Sequence, residues 1–461
     1  MNFKMIEGRV ESSFRDPAGF VFSRNGILYR QINKQYRHQY NYLLSSGLYE
    51  VLAKQELLIR HKQVDIDPFH PNSSHLIIKP YTLPFISYPY EWCFNQLKDA
   101  ALCTLEILEH SIKHSMILKD CSAYNIQFFK GKAVFIDTLS FDSYKAGDPW
   151  VGYRQFCQHF LAPLLLMSHK DPRMVQLLQS NVDGIPVDLT SKLLPFSTWL
   201  SPSIFLHIHL HAKLQMRYRT QKPSKQKKAL PTRSLSGMIA HLKGIISKMP
   251  SPPANKTWIE YYSHFSYSQS SFSEKKEVIS NYLDQTKPAT LWDLGCNDGT
   301  FSRLAQDKGI LVTAFDSDHS VIDKNHTLNK AKNIRGVLPL VAELTNPSPP
   351  SGWANKEHKS LEQRGPADCM LALALVHHIA IGNNVPFEMI AQYFSKLCKV
   401  LIIEFVPVSD PQVKQLLCTR FDSFEWYSQP NFEHSFMQHF KIGNIYQLRE
   451  SLRTLYLMER I

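Results

Sequence analysis

In the second half of the chain, short apolar runs alternate with amphipathic stretches. Leu291, Trp292 and Leu294 predict a buried strand, Gly295 and Gly299 a tight turn, and Thr300–Lys308 a helix with Phe301 and Leu304 on one side. Leu311–Phe315, Val337–Val341, Cys369–Leu375 and Val400–Glu404 read as further strands, His319–Lys330 and Pro386–Leu397 as helices between them, with a last strand near Thr454–Leu457. Such alternation requires a mostly parallel sheet covered on both faces.

The first half is less regular. Gly19–Ser23 and Ile27–Ile32 predict strands joined at Arg24-Asn25-Gly26, an Asn-Gly hairpin turn. Tyr36–Leu58 reads as a helix, Leu76–Lys79 and Pro84–Tyr90 as extended chain, and Asn95–His114 as a helix with Leu97, Ala101, Leu105 and Leu108 facing inward. Trp150–Met167 continues as an apolar helix.

A chain of 461 residues holds two or three domains, each with a full core. The net charge of +12 sits in the middle: residues 189–259 contain 12 Lys and Arg and no Asp or Glu, and Lys213–Lys228 alone holds seven of them. With Pro223, Pro231 and Pro250–Pro253, that composition predicts a linker over 211–256 between domains at 1–210 and 257–461. The competing reading is an electrostatic footprint at 213–228 for an anionic partner such as RNA, although Tyr218 is its one aromatic residue. No apolar run approaches the roughly 18 residues of a membrane span, and Met1–Val10 has no signal-like apolar core, so a cytoplasmic protein is expected. Eight cysteines without a C-x-x-C pair suit buried apolar positions. His207, His209 and His211 have no carboxylate or thiol nearby in sequence, and no metal site is expected.

The glycine turn carries the chemistry. It reads Asp293-x-Gly295-x-Asn297-x-Gly299, and Asp316, 21 residues past Gly295, ends the neighbouring strand, where a carboxylate accepts both hydroxyls of a ribose. An acidic residue two before the first glycine repels a pyrophosphate and suits a cationic ligand. The segment resembles the class I S-adenosylmethionine-dependent methyltransferases, whose first motif is acidic-x-Gly-x-Gly-x-Gly. The resemblance implies a Rossmann-like, mostly parallel seven-stranded sheet with S-adenosylmethionine as cofactor. Asp293, Gly295 and Gly299 would then line its methionine end, Asp316 hold the ribose and Glu343 take the adenine position. Asn297 replaces the middle glycine and tolerates a left-handed backbone better than most residues. His377 and His378 follow the fourth strand, where methyltransferases present substrate-facing residues; a neutral imidazole there can take a proton from an acceptor. Glu404, ending the fifth strand, is a further candidate base. The long insertion Asn346–Ala367 suggests a lid.

In the first half, Asp120, Asn125 and Asp137 stand at intervals of five and twelve, with Gly131 between the last two. They resemble the catalytic loop and metal strand of the protein-kinase and aminoglycoside-phosphotransferase superfamily. Carried over, Asp120 is the base, Asn125 and Asp137 the Mg²⁺ ligands, and Arg30 takes the place of the strand lysine with Glu50 as its helix partner. No Gly-rich loop is present, Arg replaces Lys, and Asp137-Thr138-Leu139 replaces Asp-Phe-Gly. The expectation is an α+β kinase-like domain whose nucleotide and Mg²⁺ site is vestigial.

Ser87–Trp92, Tyr153–Leu161, Ala372–His378 and Ile403–Pro407 together resemble the nodulation-protein NoeA-like family across nearly the entire chain. That implies a C-terminal methyltransferase acting on an unidentified acceptor. Three alternatives remain: an RNA-modifying methyltransferase gripping through the basic linker, an active or pseudo-phosphotransferase joined to a donor-sensing second domain, and two catalytically dead halves serving as a binding module.

Overall fold

Asn25 and Gly26 both adopt left-handed backbone (φ +51° and +69°) and turn the chain between β2 (Gly19–Arg24) and β3 (Ile27–Asn33), as an Asn-Gly pair favours. With β1 (Gly8–Arg9), β4 (His61–Val64) and β5 (Ser74–Pro80) they form an antiparallel sheet in the order β1-β2-β3-β5-β4. The computed structural model describes residues 7–219, 232–252, 268–418 and 424–461. The chain divides into two units, Met1–Pro253 with Ser351–His358, and Ala254–Pro350 with Lys359–Ile461.

In the first unit, the helix Phe94–Lys113 buries Leu97, Ala101, Leu105 and Leu108 as its spacing requires. Two small ribbons follow, β6 (Met116–Leu118) with β9 (Phe141–Ser143) and β7 (Ile126–Phe129) with β8 (Lys132–Phe135). Asp120 lies just after β6, Asn125 just before β7 and Asp137 just after β8. A five-stranded antiparallel sheet followed by helix and paired ribbons is the α+β kinase-like arrangement.

Two expectations need correcting here. The helix read over Tyr36–Leu58 is two, Arg37–Ser45 and Leu48–Lys54, because Gly47 takes φ +78° and stops the first. Pro84–Tyr90, read as extended chain, stays outside the sheets, and its last two residues enter a short 3₁₀ turn at Pro89–Glu91. The stretch read as a tether is helical at Thr232–Lys248, where Leu235, Ile239, Leu242 and Ile246 are buried and Lys243 meets Glu109 at 2.6 Å. Charge and proline content concealed a good apolar stripe. The first unit accordingly runs past 210 to Pro253, and most of the basic run 213–228 lies outside the described residues.

The second unit contains β10 (Thr290–Leu294), β11 (Leu311–Asp316), β12 (Val337–Val341), β13 (Ala367–Ala372), β14 (Cys398–Phe405), β15 (Phe440–Gln447) and β16 (Thr454–Arg460) in one sheet, ordered β12-β11-β10-β13-β14-β16-β15. β10 pairs in parallel with both β11 and β13, so the winding reverses there and opens a crevice at the strand C-termini. β16 runs antiparallel to both β14 and β15. This is the class I methyltransferase sheet. Within the insertion Asn346–Ala367, Ser351–His358 belongs to the first unit, where His358 stacks on Tyr124 (4.3 Å between ring centroids) and Glu357 pairs with Arg15 at 2.8 Å.

Candidate active site

The turn after β10 bends through three left-handed residues, Gly295 (φ +70°), Asn297 (+46°) and Gly299 (+79°). Gly295 and Cys296 donate their N–H groups to the Phe315 carbonyl, both at 2.9 Å, which ties the turn to the tip of β11. There Asp316 Oδ2 accepts from the Asn297 N–H and Oδ1 from the Asp318 N–H, each at 3.0 Å. A Cβ at Gly299 would come within 2.4 Å of Asn325 Nδ2, and one at Gly295 within 3.2 Å of Leu375 Cδ1. The cradle therefore needs its glycines for space as well as conformation.

A cavity opens beside this turn. It collects Asp293, Gly295, Asn297, Asp316, Glu343 and His378 of the sequence-derived candidates, and adds Lys275, Phe272, Phe301 and Leu375. Gly299, His377 and Glu404 do not line it. Burial pushes the Asp293 carboxyl up to about 6 against the opposing Ser302 hydroxyl, which donates to its Oδ2 at 2.5 Å. Burial also pushes Asp316 up to about 6, opposed by the two backbone N–H groups. Two carboxylates so poorly solvated form a place for a cation. Glu343 follows β12 and accepts from the N–H and hydroxyl of Thr345 at 3.2 and 2.9 Å. Ala374, also on the cavity wall, holds φ +48°, a conformation L-residues other than Asn and Asp seldom adopt.

His377 and His378 stand side by side with ring centroids 4.2 Å apart. Burial, and then the nearby positive charge of Arg453, lowers the pKa of His378; burial and its neighbours lower His377 further, so both imidazoles are neutral at pH 7. His377 is fully buried, and neither of its ring nitrogens has a hydrogen-bond partner among the described residues. Glu404, read as a candidate base at a strand end, is the next-to-last residue of β14. It is 0% exposed, and its Oε2 accepts from Lys275 Nζ at 2.7 Å. Lys275 went unnoticed in the sequence, although a lysine in register with Val278, Ile279 and Tyr282 on the apolar stripe of the helix Gln269–Thr286 is a detectable anomaly.

In the first unit, Arg30 pairs with Asp137 and lies 3.6 Å from Asp16. Glu50, expected as its partner, is exposed on its helix. Burial raises the Asp137 carboxyl, but Arg30, the Ser140 hydroxyl and the Leu139 N–H outweigh it and hold the group below its ordinary value. Asp120 Oδ1 accepts from Gln155 Nε2 at 2.8 Å, and Asn125 Nδ2 donates to Ser140 Oγ at 3.5 Å. The three histidines near 209 are held by neighbouring side chains: His207 bonds Tyr153 and His241, His209 bonds Ser191 and Thr198, and His211 stacks on Tyr153. Among the described residues there is no group of three or more His, Cys, Asp or Glu able to hold a metal ion, and no helix is long and apolar enough to cross a membrane.

The chain is 33% identical over 472 aligned residues to the nodulation protein NoeA of Rhizobium meliloti (strain 1021), covering 98% of this chain and 96% of that one. No family model matches it. Among solved structures, magnesium protoporphyrin IX methyltransferase (ChlM) from Synechocystis PCC 6803 with bound SAH aligns at 15% identity over 44% of this chain and 91% of its own, TM-score 0.30. The bifunctional kinase-methyltransferase WbdD aligns at 16% identity over 47% of this chain and 45% of its own, TM-score 0.31.

Proposed function

The chain belongs to the NoeA family, and from that premise we propose that its second unit binds S-adenosylmethionine and transfers the methyl group to an acceptor held beside His378. The observation that carries this reading is the carboxylate of Asp316, clamped by backbone N–H groups beside a turn that has no room for a side chain at Gly299 and little at Gly295. The residues suit the cofactor on three counts. Asp316 offers ribose hydroxyls a fixed acceptor, Asp293 favours the cationic methionine end, and Glu343 stands one strand further out for the adenine.

When bound, the cofactor supplies an electrophilic methyl on a sulfonium. What the chain supplies is alignment and a proton acceptor. Neutral His378, on the cavity wall, is the base for a hydroxyl or ammonium acceptor, with His377 fixing its ring from behind. His378→Ala is expected to lower turnover about 100-fold or more with donor affinity unchanged. Incubating cell extract with the protein and deuteromethyl-labelled donor, then looking by mass spectrometry for a labelled product, tests the transfer itself; no labelled product with a donor-loaded protein counts against it.

The kinase-like unit acts in this reading without Mg²⁺–ATP. Asp137, the metal ligand by resemblance, is already neutralised by the Arg30 guanidinium, and its remaining role is to bind or position the acceptor.

A further inference from the structure

Among the described residues of the first unit, the two most exposed large apolar side chains are Phe196 (79%) and Leu200 (78%), at the two ends of one 3₁₀ turn. The turn itself is pinned. Thr198 is buried; its hydroxyl donates to the Pro195 carbonyl at 2.6 Å and meets His209 Nε2 at 2.9 Å, while the Trp199 ring stacks on His209 with centroids 4.1 Å apart. An ordered backbone therefore holds Phe196 and Leu200 out in water. Leu206 (48%) and Leu214 (41%) are also uncovered, on the helical run that follows as Pro202–Ile204, Phe205–Leu210 and His211–Arg219. With half-buried Leu210 between them, these leucines stand four apart on one face, opposite buried Ile204, Ile208 and Ala212.

The charge in this segment has one sign. Exposed Lys192 lies on the helix Val187–Leu193, where Ser191 bonds His209 at 2.8 Å, and exposed Lys213 stands over the Trp199 ring at 4.8 Å. Residues 189–259 hold 12 Lys and Arg and no Asp or Glu.

We propose that this face of the first unit docks on a bilayer surface carrying anionic headgroups, with Phe196 and Leu200 entering the boundary between headgroups and acyl chains. Such a surface sets an apolar layer beneath an anionic one, which matches uncovered Phe and Leu side chains among cations. RNA offers the charge without the apolar layer, and the nearest ring on which a base could stack, Trp199, is already held by His209 and Lys213. A second copy of the chain would bring the same cations and be repelled. None of these residues lines the cofactor cavity.

Flotation of the full chain with vesicles tests the docking. The chain is expected to float with phosphatidylcholine vesicles containing about 30% phosphatidylglycerol and not with phosphatidylcholine alone. Binding should fall about tenfold or more between about 0.05 and about 0.5 M KCl, because salt screens the lysines. Phe196→Ser/Leu200→Ser is expected to lose about tenfold or more in vesicle affinity with its melting temperature unchanged, since both side chains already face water. Lys192→Gln/Lys213→Gln is expected to lose about tenfold through weaker attraction to the headgroups. Failure to float with the anionic vesicles, or either variant floating as wild type does, overturns the proposal. So does a sedimentation-equilibrium mass that drops from dimer to monomer in Phe196→Ser/Leu200→Ser, which gives the face to a second copy, or a loss of poly(U) binding in that variant, which gives it to RNA.

Discussion

Replacing Asp293 by Asn should stabilise the ligand-free protein, and by an amount that depends on pH. Its carboxyl is pushed up from 3.8 to about 6, mainly by burial. Two units correspond to about 3 kcal/mol at roughly 1.36 kcal/mol per unit, a ceiling for the cost of carrying the charge. The sign follows from linkage. The folded state binds this proton more readily than the unfolded one, so the carboxyl favours folding below about pH 4, loses that advantage as pH rises toward 6, and costs a constant amount above. The Asn oxygen still accepts from the Ser302 hydroxyl, so little else changes. The variant should match wild type near pH 4 and exceed it by about 1–3 kcal/mol at pH 8. Hydrogen exchange protection of the peptide carrying β10, followed from pH 5 to 8, with urea melts for the acid range, reads the difference. A gap independent of pH, or a wild type more stable at pH 8, would refute the reasoning.

Two further outcomes follow from the geometry. Gly299→Ala is expected to cost about 2–4 kcal/mol, from left-handed strain and displacement of Asn325, against about 1 kcal/mol for Gly295→Ala, where Leu375 can move; equal denaturation midpoints would contradict the close approach. Mg²⁺–ATP is expected to leave the melting temperature unchanged, since Arg30 stands on Asp137; a clear Mg²⁺-dependent rise, lost in Asp137→Ala, would restore the phosphotransferase alternative.

What could be read without coordinates was whatever repeats with a period. Val337–Val341 was located to the residue, and β10, β11, β13 and β14 within a few residues, because strands buried on both faces must be continuous apolar runs. The carboxylate at 316 was legible for the same reason, being fixed by strand length and register. β15 escaped because its sequence, with Lys441, Gly443 and Asn444 largely exposed at the sheet edge, has no such run. The tether at 232–248 misled because net charge describes a segment's solvent, whereas its stripe of Leu235, Ile239, Leu242 and Ile246 describes its fold. Ion pairs were out of reach: that Arg30 meets Asp137 rather than Glu50, and Lys275 meets Glu404 across 129 residues, depends on tertiary placement that no local spacing encodes.

The most direct test of the central claim is calorimetric binding of S-adenosylhomocysteine to the purified full chain, freed of carried-over ligand, beside Asp316→Ala. The expected result is saturable one-to-one binding to wild type and a loss of at least tenfold in the variant, since two ribose hydroxyls lose a fixed charged acceptor. Wild type without measurable heat of binding, or a variant with the same affinity as wild type, would contradict it.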